Sequence, residues 1–245
     1  MKGATPAGAH TEQEAAGWVR GMFGRIAYRY DLANHLLSFN IDRHWRAVTA
    51  RRVGHILSRP EARVLDICCG TGDLLLALAN FPGCRATVFG SDFCHPMLAA
   101  ARGKIVPGCL FESDVLSMPL HDASFDLVTV AFGFRNLANY AVGLAEMRRV
   151  LRPGGTAAIL EFSQPPNRLF AAINRIYCRT ILPVVGGLIT GQPDAYQYLP
   201  DSVRKFPGAE ELADEMRRSG FQRVSFEYLT GGMVALHLGQ RASGA

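Results

Sequence analysis

Two hydrophobic periodicities divide the chain. Over residues 12–57 apolar positions recur at helical spacing, and "FNIDRHWRAVTARRVGHIL" sets Ile41, Trp45, Val48, Val53 and Ile56 on one stripe. From residue 62 short apolar runs alternate with helical segments. Strands are predicted at 62–67, 85–92, 109–114, 125–132 and 156–162. Helices are predicted at 73–80, 95–102 and 142–151, with "RPGG" (152–155) as a turn. This alternation builds a doubly wound, mostly parallel α/β sheet. Near the end, "FQRVSFEYL" (221–229) and "GMVALHLGQ" (232–240), joined by Thr230 and Gly231, predict a hairpin that adds an antiparallel strand.

Between the sheet core and the last helix lies an insert, residues 163–207. Leu169, Phe170, Ile173, Ile176, Tyr177 and Ile181 fall on one helical stripe there, followed by the apolar "LPVVGGLIT" (182–190), too short to span a bilayer. It reads as a helical cap on the sheet, or as a cover over a greasy substrate or a membrane-facing helix. The expected organisation is one domain over 1–245: N-terminal helices at 12–57, a ligand-binding core at 62–162, the cap, and a last helix with the hairpin at 208–240.

Composition narrows the class without choosing a function. The 245 residues are 49% hydrophobic and 19% charged, ordinary for a globular chain. Residues 1–17 hold no apolar run of signal-peptide length and no segment approaches a membrane span, so a cytoplasmic protein is expected. The net charge of +5 is concentrated: Arg20, Arg25, Arg29, Arg43, Arg46, Arg51 and Arg52 stand against Asp31 and Asp42. Those arginines read as a solvated helical face or as a surface for anionic lipid headgroups. No recognisable RNA module or base-stacking aromatic array accompanies them, so no nucleic-acid partner is expected. Cys68, Cys69, Cys84, Cys94, Cys109 and Cys178 form no C-x-x-C pair, and no histidines stand at zinc-ligand spacing; no metal is expected, and the thiols read as small apolar core residues.

The candidate chemistry sits in "VLDICCGTGD" (64–73), a buried strand running into a glycine turn that opens a helix. Gly70 and Gly72 let the backbone bend and approach a ligand, at the sheet edge where such folds bind nucleotides. A dinucleotide site carries a third glycine three residues on, where this chain has Leu75. Asp73 opens the helix, Asp66 precedes the turn and Asp114 ends the third strand. Carboxylates at a helix N-terminus repel phosphate. They suit S-adenosylmethionine, which has no phosphate and carries ammonium and sulfonium charges. Asp92, ending the second strand, can accept from both ribose hydroxyls, and Asp114 from the adenine amino group with the Val115 backbone at the ring edge.

These motifs resemble the nucleotide motifs of class I S-adenosylmethionine-dependent methyltransferases, which implies a Rossmann-like fold. "MFGRIAYRYDLANHLLSFNIDRHWR" (22–46), "VAFGFRNLANYAVGLAEMRRVLRPGG" (130–155), "ILEFSQP" (159–165), "YQYLPDSVRKFP" (196–207) and "LTGGMVALHLG" (229–239) resemble one family more narrowly: the C-methyltransferases of menaquinone and ubiquinone biosynthesis. The resemblance covers about residues 18 to 240. It implies that Thr71, Asp92, Asp114 and Val115 contact the cofactor. Where some members have Ser before "FG", this chain has Ala131, so any contact there falls to the backbone.

The implied reaction methylates a ring carbon of a polyprenyl quinol drawn from the membrane, demethylmenaquinol in the favoured reading. A neighbouring hydroxyl raises the carbon's nucleophilicity, more so once deprotonated. Arg135 and Asn136, after the fourth strand, are the candidates: Arg135 to stabilise the quinolate, Asn136 to orient a hydroxyl or a water. An ion-paired structural Arg135 is the bland alternative. Tyr28, Tyr30 and Asp31, and likewise Tyr196 and Tyr198, read as ring-pocket or packing residues; His95 and His121 read as surface, His237 as structural. Rival readings are the benzoquinol of the ubiquinone pathway, a methyltransferase for another small molecule or RNA, and a non-catalytic cofactor-binding subunit. A homodimer is left open.

Overall fold

The computed structural model describes residues 3–104, 109–167, 170–172, 180 and 191–243. Its centre is a seven-stranded sheet ordered β3-β2-β1-β4-β5-β7-β6. The strands are β1 (Arg63–Ile67), β2 (Thr87–Asp92), β3 (Leu110–Glu112), β4 (Phe125–Ala131), β5 (Leu151–Phe162), β6 (Phe221–Leu229) and β7 (Val234–Arg241). The first five run parallel and β7 is antiparallel to both neighbours, β5 and β6. The expected Rossmann-like sheet and C-terminal hairpin are both present.

Central strands must be apolar on both faces, because helices cover both. The side chains alternate accordingly. Leu65, Val128, Val130 and Ile159 enter one core, with Leu144 and Met147 of α7 (Tyr140–Val150) and Leu212 and Met216 of α9 (Ala209–Arg218). Val64, Leu127, Ala158 and Leu160 enter the other, with Trp45 and Val48 of α3 (Ile41–Arg52) and Leu74, Leu75 and Leu78 of α5 (Asp73–Ala79).

Local sequence sets the helix ends. Thr11 and Glu14 form a reciprocal capping box that starts α1 (Glu12–Ile26). Pro96 stands in the first turn of α6 (His95–Ala101). A 3-10 turn, Ala27–Arg29, leads from α1 into α2 (Tyr30–Leu37), and α4 (Gly54–Leu57) follows α3. Of the insert, α8 (Pro193–Lys205) is described; the predicted apolar stripe and "LPVVGGLIT" lie mostly outside the described residues.

One expectation shifts. "RPGG" is no turn between elements but lies inside β5, where pairing jumps from Phe125↔Leu151 to Leu127↔Thr156. Gly154 takes a left-handed φ of 78°, and Arg152 Nη1 holds Asp126 Oδ2 at 2.7 Å, so the extra residues swell outward while the ladder resumes beyond them.

Strand order reverses between β1 and β4, and their exit loops touch there. A Cβ on Gly133 would lie 2.4 Å from the Cβ of Cys68, itself held at a left-handed φ of 49°. Gly133→Ala is expected to destabilise the fold by about 1–3 kcal/mol in denaturant unfolding. Gly17→Ala, where an added Cβ meets nothing within 4 Å, should gain up to about 1 kcal/mol from helix propensity. Equal effects at the two positions would refute the loop contact.

Candidate active site

A cleft of about 900 Å³, partly open to solvent, lies at the carboxyl ends of β1, β2 and β4. The turn after β1 forms its floor. Gly70 and Gly72 have φ of 56° and 86°, a region that costs an L side chain energy and glycine almost none. Gly72 N–H donates to Cys69 O at 2.8 Å and closes the turn.

Asp92 ties the turn to the next strand. Its Oδ2 accepts from Gly70 N–H at 2.9 Å and its Oδ1 from Cys94 N–H at 2.8 Å. Burial pushes its pKa up to about 6 against those donors. Asp66, 1% exposed, accepts from Thr129 Oγ1 at 2.7 Å, and burial pushes it up to about 7. Asp114 accepts from Leu116 N–H at 2.9 Å and faces the cleft with Val115. Thr71 donates its hydroxyl to Asp31, which also receives Lys104. Burial pushes the thiols of Cys68 and Cys69 well above their ordinary range, so both stay protonated.

The N-terminal helices roof this floor. Ala16, Val19 and Phe23 of α1 and Tyr30 of α2 line the cleft. Arg46 of α3 enters from the side, buried, hydrogen-bonded to Asp42 and 3.6 Å from Asp73 Oδ2. His35 completes this group, its Nδ1 2.8 Å from Asp42 and its Nε2 3.7 Å from Asp73. Counted among basic surface residues in the sequence, Arg46 is instead part of the site; its spacing of four from Asp42 was the available signal. Arg52, similarly, is paired with Glu227 of β6 at 2.6 Å.

Of the nine residues singled out in the sequence, Asp66, Gly70, Thr71, Asp92, Asp114, Val115 and Asn136 line one cleft, and Gly72 shapes its turn. Arg135 sits apart. Its guanidinium is buried against Glu161 at 3.1 Å, with further hydrogen bonds to Phe132 O and to Ser202 Oγ at 3.2 Å. It lines a neighbouring cavity with Trp18, Tyr140 and Tyr198. Tyr198 bridges the two spaces, donating to Asn136 Oδ1 at 3.1 Å, and burial lifts its pKa to about 12. Tyr30 lines the cleft, whereas Tyr28 does neither thing expected of it and stands in solvent. The Tyr196 side chain lies outside the described residues. His95 and His121 are exposed, and His237 is buried, its Nε2 2.8 Å from Ala209 O, as expected of a structural residue.

The donor set tests the ligand. Asp66, Asp73, Asp92 and Asp114 line the cleft, with Arg46 its one cation among the described residues. Such a wall repels a pyrophosphate and accepts a nucleoside bearing positive charge. With acids ending β1 and β2 and a switch point between β1 and β4, it is the arrangement of the class I S-adenosylmethionine-dependent methyltransferases. A methyltransferase of that class from Thermotoga maritima superposes with a TM-score of 0.65 at 18% identity, covering 90% of this chain and 98% of its own. The chain belongs to the ubiE/COQ5 methyltransferase family, whose model matches residues 9–241. It is 48% identical over 225 residues to the demethylmenaquinone methyltransferase of Thermus thermophilus, covering 90% of this chain and all of that one. It is 45% identical over 228 residues to the ubiquinone/menaquinone biosynthesis C-methyltransferase of Syntrophotalea carbinolica, covering 91% and 94%.

The raised carboxyls give signed pH effects. The unfolded chain ionises Asp66 near the ordinary 3.8 and the folded chain near 7, so its contribution to stability is full below about pH 4 and lost as pH rises through about 7. Asp66→Asn should therefore gain stability relative to the parent between about pH 5 and about pH 8, read as the difference in cofactor-free unfolding free energy. A difference flat with pH would contradict this. Asp92→Asn should weaken S-adenosylmethionine binding by about 10- to 100-fold above about pH 7, and by less near pH 5, where Asp92 already holds its proton. Titration calorimetry at both pH values measures it.

Proposed function

We propose that this methyltransferase methylates a ring carbon of a polyprenyl quinol, converting demethylmenaquinol to menaquinol. The observation that carries the reading is the junction of two spaces: Asn136 on the wall of the acid-lined cleft is hydrogen-bonded to Tyr198 of the aromatic cavity beside it. A quinol ring in the second space would meet a cofactor in the first at this pair. The near-full-length identity to the Thermus thermophilus relative supports the same substrate class.

When bound, S-adenosylmethionine supplies an electrophilic methyl group on its sulfonium. Asp92 would hold the ribose hydroxyls, Asp114 and the Val115 backbone would hold the adenine, and Gly70, Thr71 and Gly72 would frame the turn beneath. Asp66 and Arg46 would take the amino-acid end, one for its ammonium and one for its carboxylate. The wall at Ala131 offers a methyl group and backbone only. On the substrate side, Asn136 orients the hydroxyl beside the reacting carbon. Arg135, its guanidinium committed to Glu161 and Phe132 O, would act through the Phe132–Asn136 turn as a positioning residue rather than as a direct partner of the quinolate. Holding ring carbon and methyl group in line is where most of the acceleration arises, up to about 7–11 kcal/mol in favourable cases.

The tail of such a quinol keeps it in a bilayer, and no described helix is long and apolar enough to cross one. We therefore read the protein as working peripherally at the membrane surface. A second substrate, the methoxy-polyprenyl-benzoquinol of ubiquinone synthesis, is favoured by what the Syntrophotalea carbinolica relative is named for.

Purified protein with labelled S-adenosylmethionine should transfer label to reduced demethylmenaquinone in detergent. Label in the benzoquinol as well would make it a dual enzyme; label in neither, with cofactor bound, would overturn the substrate. Asn136→Ala should lower turnover about 100-fold with cofactor affinity little changed. For Arg135, Ala should lower turnover while Lys, which keeps the charge, restores part of it. Equal loss of turnover and cofactor affinity in both would make Arg135 purely structural.

A further inference from the structure

We propose that Tyr28, Leu32, Leu36 and Phe39 form an insertion surface that seats the protein on an anionic lipid bilayer. The inference rests on the reading of the substrate as membrane-resident and assigns the surface that reaches it.

Tyr28, Leu32 and Leu36 are spaced four apart, Tyr28 in the 3-10 turn Ala27–Arg29 and Leu32 and Leu36 in α2, which begins after Arg29 leaves helical geometry at φ −114° and ψ 2°. They are 99%, 63% and 54% exposed, and Phe39, just past the helix, is 74% exposed. Scattered apolar residues on a surface need no explanation, but four large ones on one ridge do. Phe39 adds an independent sign. Its φ is 52° and that of Asn40 is 59°, a left-handed pair at the end of α2. A bulky side chain is disfavoured in that conformation, and an aromatic ring is disfavoured in water. An apolar phase outside the protein accounts for the exposed ring.

Charge selects the occupant. Asp31 and Asp42 are the only acids between Ala15 and Pro60. Both are turned inward, Asp31 to Thr71 and Lys104, Asp42 to Arg46, His35 and Ser38. The exposed charges flanking the ridge are Arg25, Arg29 and Arg43. An apolar ridge whose exposed charged neighbours in sequence, among the described residues, are cations fits an interface of acyl chains beneath anionic headgroups. It fits a second copy of the same ridge poorly, since the arginines would face one another.

The ridge also has a fixed relation to the site. The inner side of α2 carries Tyr30 into the cleft, and Asp31 clips the helix to Thr71 of the cofactor turn. Seating the ridge in a bilayer would hold the helix that roofs the cleft at the membrane surface.

The test is flotation of the full chain with vesicles of phosphatidylglycerol and phosphatidylcholine, beside methyl transfer to a short-tailed quinol in solution. The parent should float with anionic vesicles and lose binding as salt rises. Leu32→Gln with Leu36→Gln should lower vesicle affinity at least about tenfold, with thermal midpoint and soluble-quinol turnover unchanged. Phe39→Asn should weaken flotation while unfolding no earlier than the parent, because Asn tolerates a left-handed φ. Undiminished flotation of these variants would overturn the proposal. So would a large drop in their thermal midpoint, which would mean the ridge is covered by the chain itself, or a parent dimer that the variants dissociate. A parent that never floats yet methylates the short-tailed quinol would remove the bilayer surface and leave the activity standing. A parent that floats through the ridge yet methylates no quinol would do the reverse.

Discussion

The site is organised by one buried carboxylate. Asp92 ends β2 and receives two backbone N–H groups, one from the turn after β1 and one from the start of α6. That pair of bonds brings three elements to one point. A carboxylate kept nearly out of water is costly, and backbone donors repay part of that cost at fixed geometry. Asp92 also lines the cleft, so the group that assembles the turn is one the cleft presents to its contents. Asp66 repeats the device one strand over with Thr129 as donor. Both stand in a low-dielectric floor. Burial lifts their pKa values to about 6 and about 7, the charge of Asp92 adds to the rise at Asp66, and a cationic ligand relieves both.

Much of this was legible because it is local. Strand, glycine turn and helix start follow each other within ten residues of sequence, and an acid at the end of β2 has only one edge of the sheet to face. The alternation of apolar runs with helical stripes pointed to the parallel sheet, and the Thr230–Gly231 break to the hairpin. What stayed hidden depends on partners far along the chain. The burial of Arg46 is decided by Asp73 and by Phe132, whose ring its guanidinium overlies at 5.6 Å. The commitment of Arg135 is decided by Glu161, twenty-six residues on. A list of arginines by composition treats these two and Arg43 alike; only packing separates a charge that holds a loop from one that meets solvent. "RPGG" misled for a related reason: a bulge and a turn share the same residues, and the difference lies in whether the neighbouring strand resumes its pairing.

The N-terminal helices do two jobs with opposite faces. Inward, Val19, Phe23 and Tyr30 close the cleft above the carboxylates, which keeps water from the acids and strengthens their field. Outward, α2 leaves its apolar ridge uncovered. A helix with a core face and a polar back is the ordinary solution on a protein surface. Here the ridge of Tyr28, Leu32 and Leu36 interrupts the polar back, with Arg25, Arg29 and Arg43 the exposed charged residues beside it in sequence among the described residues.

Asp31 joins the two faces. It takes the Thr71 hydroxyl from the cofactor turn and the Lys104 ammonium from beyond α6, and Lys104 in turn reaches Asp73 at 3.0 Å. Through this group the position of α2 is set by the same residues that open α5. Displacement of α2 outward would break the Asp31 contacts to Thr71 and Lys104 and carry His35 away from Asp73, whose Oδ2 already lacks a hydrogen-bond partner. The roof and the floor of the cleft are therefore not independent parts: whatever holds α2 in place also holds the Asp31, Thr71 and Lys104 contacts at the mouth of the cleft.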